Sequence, residues 1–425
     1  MPDVLPIIIV IISLSGLVGG VTLLKKAGKI GPEMARKAVH MVMGVICMTF
    51  PWVFSSPLPV QILGVVSALG IFVLKSTSLK DKLGAALFSV ERVSGGEILF
   101  PLAVAWLFTL AYETPVLYII PLLLLTFGDA FGALVGTRYG KRHYQTLSGK
   151  KSIEGSFTFF VISFLCTFLP LFFFYEFTWI YLLLISLVVS LIATLLEGGA
   201  SHGMDNMFIP MASFLVLDYY LAQSEMDLLF RLLALGGLMG VLIGTRHMHT
   251  FDGAGGIGCI LFGFGAFTMG GVLCLLSACV LFSRHLYVSH KFQLKGSVLH
   301  TLAVIFWVGV VPTLWLTLGR IGQITYEGAQ QGAILSLASI GLMVSVGTIV
   351  YMKLSSKHFI KSVMLYFGIA FPLYCARGLQ SAHLVAFAFA LLAGVMIYFI
   401  RCRASGHTYW SSIASLAFAQ SLLSV

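Results

Sequence analysis

IIPLLLLTFGDAFGALVGTRYGKR, residues Ile119–Arg142, is the stretch on which the fold turns. It begins as an unbroken apolar run and ends on three cations, Arg138, Lys141 and Arg142. Within it stand one acid, Asp129, and four glycines, Gly128, Gly132, Gly136 and Gly140. A helix on the surface of a soluble domain is apolar along one stripe only. Here apolar residues surround the axis until Arg138, as in a lipid-crossing helix that stops at a cationic interface.

Similar runs recur along the whole chain. It has 425 residues, of which 59% are hydrophobic and 10% charged, with a mean hydropathy of +0.99. Soluble domains carry roughly 25% charged residues. The fold class is therefore all-α, a polytopic transmembrane helical bundle of about 15–16 spans. Continuous rather than alternating apolar runs exclude an outer-membrane barrel. Spans are expected near 5–24, 38–54, 58–74, 96–112, 116–136, 157–175, 179–196 and 207–222. A second set is expected near 228–245, 254–267, 268–283, 297–318, 332–351, 362–375, 382–400 and 408–424, with 254–283 alternatively one long tilted helix. The polar break Gln223–Asp227 separates two domains, 1–222 and 228–425, the second expected to be accessory.

The first span lacks the cationic start and small-residue cleavage site of a secretory signal, so it reads as retained. Seven cysteines contain no CxxC pair and read as buried thiols. The net charge of +10 reports topology rather than nucleic-acid binding. With the N-terminus outside, every Lys and Arg except Arg231, Arg320 and Arg377 falls in an inside loop, the positive-inside pattern. That places the Gly128–Ser156 region on the cytoplasmic side.

Acids flush with a span are costly and point to function. Asp129 shares a helical face with Gly132 and Gly136, where a backbone or ligand can approach closely. The following segment, RYGKRHYQTLSGKKSIEGS, breaks the helix at Gly140 and Gly149 and restarts it after Lys150, Lys151 and Ser152. Ser152 is placed to cap the new helix, and Glu154 lies in its first turn, where the dipole favours an acid. Amides at a helix start together with ammonium groups suit phosphate. Downstream, LEGGASHGMDNMFIP offers the oxygen ligands Glu197, Asp205 and Asn206 to a magnesium ion, although Asp205-Asn206 could equally cap a helix. Upstream, EMARKAVHMVMG carries Arg36, Lys37 and His40 into a span; membrane anchoring explains the two cations as well as phosphate binding does, but not His40.

Taken together these residues resemble the polyprenol kinase family, which includes dolichol, phytol and farnesol kinases and the CTP-dependent diacylglycerol kinase. The matching residues are Arg36, Lys37 and His40; Gly128, Asp129, Gly136, Tyr139, Gly140 and Lys141; Lys150 to Ser152 and Glu154 to Ser156; and Asp205, Asn206 and Pro210. A looser match is Glu91–Pro101. The resemblance implies transfer of a phosphoryl group from a nucleoside triphosphate, CTP in particular, to a membrane-dissolved lipid alcohol. It implies Mg²⁺ at Asp129 and Asp205 with Asn206 in support. It also implies nucleotide binding by Tyr139, Gly140, Lys141, Lys150, Lys151, Ser152, Glu154 and Gly155, and a catalytic group of Asp129, His40, Arg36 and Lys37. Either Asp129 or His40 could take the hydroxyl proton.

Two rival readings share these features. Phosphatidate cytidylyltransferases also carry a Lys-Lys-Thr-x-Glu-Gly segment, but their Lys-Asp and Asp-Arg pairs are missing from EGGASHGMDNMF. A transporter or scaffold would place its acids near mid-membrane, whereas these cluster at one face. In the second half, HTFDGAGGIGCILFGFGAFTMGG resembles the glycine-rich start of the membrane family that includes phytyl-phosphate kinase. With Asp252 as its one inside acid, that half is short of carboxylates for a second magnesium site.

Overall fold

The computed structural model describes residues 4–76, 95–146, 149–200, 203–291, 302–320, 322–351, 364 and 367–370. The spans expected near 382–400 and 408–424, His202 and Glu91–Ser94 of the looser match lie outside them. The chain divides into two compact units, Met1–Leu232 and Leu233–Val425.

The first unit runs α1 (Val4–Lys26), α2 (Pro32–Met48), α3 (Phe50–Val53), α4 (Pro57–Ser76), α5 (Gly96–Ala111) and α6 (Pro115–Leu123). A single π turn, π1 (Leu124–Gly128), leads directly into α7 (Asp129–Tyr139). A hairpin of β1 (His143–Thr146) and β2 (Gly149–Ser152) follows, then α8 (Ile153–Phe174), α9 (Trp179–Gly199) and α10 (Asp205–Tyr220). Proline starts α2, α4 and α6, where its missing N–H costs nothing. Next comes α11 (Glu225–Gly244), whose first turns belong to this unit. They are tied to it by Thr178, which donates to the Glu225 carboxylate, and by Arg231, which donates to the Tyr219 hydroxyl at 3.2 Å.

Seven helices among the described residues are long and apolar enough to cross a bilayer, beginning with Val4–Lys26 and including the continuous Pro115–Tyr139. The helical membrane fold expected from the sequence is thus present. Large apolar side chains such as Leu5, Ile12, Leu58 and Phe173 point outward, where lipid rather than water would meet them. Inside, Phe50, Phe54, Phe108 and Tyr118 form edge-to-face contacts, and the Tyr118 hydroxyl donates to the Cys47 carbonyl at 2.9 Å. A buried phenol in such a core requires a partner of this kind.

Helices α7 and α8 approach backbone to backbone. A Cβ on Gly155 would lie 2.8 Å from the Gly132 carbonyl and 3.0 Å from Gly136 Cα. Gly155→Val should therefore push the helices apart and cost about 1–3 kcal/mol, the usual range for overpacking. Gly20 has nothing near its Cβ position, so Gly20→Ala should be neutral or slightly stabilising. Thermal unfolding of both variants in detergent checks this contrast; equal midpoints would refute it.

The second unit contains α12 (Gly253–Lys291), α13 (Leu302–Arg320) and α14 (Tyr326–Tyr351). Within α12 the backbone breaks at Gly271, with φ +69°, a left-handed conformation that favours glycine. This break divides the segment near the boundary expected between spans 254–267 and 268–283. The buried Gly270 carbonyl next to this break is taken by the Gln330 side chain, which donates to it at 2.7 Å. Trp315, Leu316, Ile334 and Leu337 form the core of this unit.

One element departs from the all-helical expectation. β1 and β2 pair antiparallel, setting Tyr144 opposite Lys151 and Gln145 opposite Lys150. The hairpin stands between α7 and α8, where the sequence reading places a loop.

Candidate active site

The site is built around Asp129, the first residue of α7. The π turn ahead of it buries Leu124, Leu125 and Thr126, and π turns often mark functional positions because they displace the backbone ladder. Here the displaced geometry serves His40, whose Nε2 lies 3.3 Å from the Leu125 carbonyl oxygen and 3.8 Å from Asp129 Oδ2. A proton on that nitrogen is donated to the carbonyl. Phe100 holds the other side of the imidazole in an edge contact at 5.4 Å.

Lys37, one turn before His40 on α2, is almost wholly buried at 1% exposure. Its ammonium donates to Asp129 Oδ2 at 2.6 Å and to the Asp129 backbone carbonyl at 3.3 Å. Asp129 Oδ1 has no hydrogen-bond partner among the described residues. Arg36 acts electrostatically on both Asp129 and His40. The expected group of Arg36, Lys37, His40 and Asp129 is therefore assembled in space across 92 residues of sequence.

A second ion pair lies beside the first. In β2 Lys150 is exposed while Lys151 is half-buried. Lys151 donates to Glu197 Oε1 at 2.6 Å and also to the Glu197 backbone carbonyl. Burial disfavours the Lys151 ammonium, but the Glu197 carboxylate outweighs it and holds this lysine above its ordinary pKa. Tyr144, opposite Lys151, bonds through its hydroxyl to Ser156 Oγ at 2.8 Å; burial, and then Glu197, push this phenol upward.

Asp205 lies within electrostatic reach of Asp129, Lys151 and Lys37. It makes no ion pair among the described residues. Its carboxylate accepts the Asn206 amide at 3.1 Å, and Asn206 Nδ2 donates to the Gly96 carbonyl at 2.9 Å. The start of α10 is thereby fixed to the start of α5, where Lys75 and Glu97 pair at 3.3 Å.

Other expected residues serve the scaffold. Ser152 caps α8 by accepting from the Gly155 amide at 3.1 Å, as its position in the sequence suggests. Glu154 accepts from the backbone amides of Lys141 at 3.1 Å and Arg142 at 3.3 Å, strapping the loop to α8. A Cβ on Gly140 would meet Ser152 Cβ at 2.7 Å, and Gly149 has φ +136°. Tyr139, under the Arg138 guanidinium at 5.4 Å, is exposed, and so is Lys141. None of these last residues joins the Asp129 cluster.

Magnesium suits the donors present. Asp129, Glu197 and Asp205 act electrostatically on one another, and Asn206 keeps its carbonyl oxygen. Hard oxygen ligands of this kind, completed by substrate phosphate, are what Mg²⁺ accepts. Among the described residues, no three His, Cys, Asp or Glu side chains already converge on one metal-sized point.

An apolar groove of about 460 Å³ runs between α6–α7 and α8, past Phe127, Phe131, Leu165 and Phe173. Phe127 and Phe131 lie two residues either side of Asp129, so they face away from it on the helix. The groove is separate from the charged cluster.

Fold and site define a class: a multi-pass membrane protein with a charged, oxygen-rich cluster at one end of its first helical unit. No family model matches the chain, and no solved structure does. A curated phytol kinase from Synechocystis sp. is 31% identical over 188 residues, covering 43% of this chain and 78% of that protein. The chain belongs to the polyprenol kinase family and is a phosphotransferase with an alcohol acceptor.

Proposed function

We propose that the protein transfers the terminal phosphoryl group of a nucleoside triphosphate to the hydroxyl of a membrane-dissolved isoprenoid alcohol of the phytol, farnesol, geranylgeraniol or dolichol type. The preferred donor is CTP, and the reaction takes place at the cytoplasmic face. The observation that carries this reading is the Asp129 carboxylate. One of its oxygens is held by buried Lys37, and the other has no partner among the described residues.

Phosphoryl transfer needs alignment and charge neutralisation more than covalent help from the protein. The alcohol oxygen attacks the terminal phosphorus, the bond to the nucleoside diphosphate breaks, and the hydroxyl proton passes to Asp129 Oδ1 or His40. Lys37, Arg36 and Lys151 offset charge on the phosphoryl oxygens, while Ser152 and Glu154 fix the backbone around the phosphates. Asp129, Asp205 and Asn206 would hold Mg²⁺, which when bound would offset charge developing on the phosphates. The cationic inside loops support the cytoplasmic placement. The likeness to a phytol kinase supports an isoprenoid acceptor.

Membranes carrying the protein, incubated with γ-labelled CTP, ATP, UTP or GTP and with phytol, farnesol, geranylgeraniol, dolichol or diacylglycerol, provide the test. Label is expected on an isoprenoid alcohol, with CTP the best donor. Release of pyrophosphate with a CDP-lipid product would move the assignment to a cytidylyltransferase. No turnover with any pair would overturn the reading.

A further inference from the structure

Resting on the proposed phosphate and magnesium chemistry, we propose that Glu197 is a working residue of the site. It holds the Lys151 ammonium while the site is empty and exchanges it for the divalent cation when nucleotide phosphate draws Lys151 away. The sequence reading offers Glu197 as one oxygen among several. The structure gives it a specific companion, since Lys151 is bonded to both its carboxylate and its backbone carbonyl.

Three features support the exchange. The first is charge. Glu197, Asp129 and Asp205 act on one another, and carboxylates this close, mostly out of water, need compensating cations. Lys151 supplies one to Glu197 and Lys37 supplies one to Asp129, so each ammonium occupies an oxygen that a metal ion would use. The second is reach. Lys151 leaves the hairpin on a flexible four-carbon stem, directly before the amides at the start of α8. A phosphate there would compete with Glu197 for the same ammonium. The third is proton count. An ammonium has three protons, and Glu197 takes two, leaving one to engage the first phosphate oxygen before the others follow. Lys151 then neutralises phosphate, and Glu197 joins Asp205 as an oxygen donor.

Manganese is the probe, followed by electron paramagnetic resonance of the detergent-solubilised full chain with neither nucleotide nor alcohol present. Lys151→Met removes the resident cation and should tighten Mn²⁺ binding about tenfold or more, the scale on which neighbouring groups tune metal sites. Adding Glu197→Gln to that variant should abolish the gain. Unchanged Mn²⁺ affinity in Lys151→Met, or a gain that survives in the double variant, would overturn the proposal. Should Lys151→Met fail to fold, Glu197→Gln alone decides. Its nucleotide affinity should lose about tenfold of its dependence on Mg²⁺, and a wild-type ratio would overturn the exchange. These titrations use no alcohol, so a failure of the alcohol-kinase reading appears in the transfer assay and not here.

Discussion

Asp129→Asn is expected to reduce alcohol phosphorylation by about a thousandfold or more, the combined scale of a lost proton acceptor and lost charge stabilisation. Asparagine keeps the shape of the side chain, so Lys37 can still donate to an amide oxygen at this position. What disappears is the negative charge, and with it the affinity of the second oxygen for a proton or a cation. Phosphoryl transfer per milligram of folded protein, compared in wild-type and variant membranes, measures the effect. A loss smaller than about tenfold would remove Asp129 from the chemistry. It would then be a packing acid for the start of α7.

Lys37→Met should be the most damaging change to stability. The lysine side chain is 2% exposed and its partner 16% exposed, so the substitution leaves a carboxylate in low dielectric without its cation. Breaking a buried pair from one side costs about 3–5 kcal/mol. Methionine fills much of the same volume, which limits the part of that cost due to a cavity. The decisive comparison is with Lys37→Met/Asp129→Asn. Removing both charges should restore most of the lost stability while leaving the protein inactive, a strong non-additivity of the kind expected for contacting residues. Thermal midpoints of the purified proteins in one detergent would show it. Additive losses would mean that Lys37 stabilises the fold through something other than Asp129.

The spans were legible because lipid imposes one rule on every residue that faces it. The run expected from residue 5 to 24 stands as Val4–Lys26, and that expected from 116 to 136 as Pro115–Tyr139. The proximity of Lys37 to Asp129 follows from two separate motifs only when a family resemblance joins them, since nothing local connects residues 92 apart. The hairpin was not legible. HYQT and GKKS are four-residue polar stretches without the aromatic or β-branched runs that mark strands, and each becomes a strand only by pairing with the other. That pairing separates Lys150 from its neighbour Lys151, a distinction the doublet in the sequence cannot convey. The Lys151–Glu197 pair is hidden for the same reason, being a tertiary contact between β2 and the far end of α9. Glu154 was legible as a first-turn acid, but its acceptance of the Lys141 and Arg142 amides depends on how the chain folds back.

The π turn at Leu124–Gly128 carries a consequence for how this helix can change over time. A turn closed by i→i+5 bonds holds one residue more than an α turn, so the helix has two phases, one before Leu124 and another from Asp129 onward. The first phase positions Tyr118 and Ile120 in the core, while the second aims Asp129 at Lys37. The extra residue acts as a clutch between them. Substitutions that rotate or resize the half before Leu124 to suit a different bilayer can be absorbed in this turn without moving the carboxylate. Deleting one of its five residues would close it as an ordinary α turn and leave Asp129 aimed at Lys37, but would remove the slack that absorbs such changes.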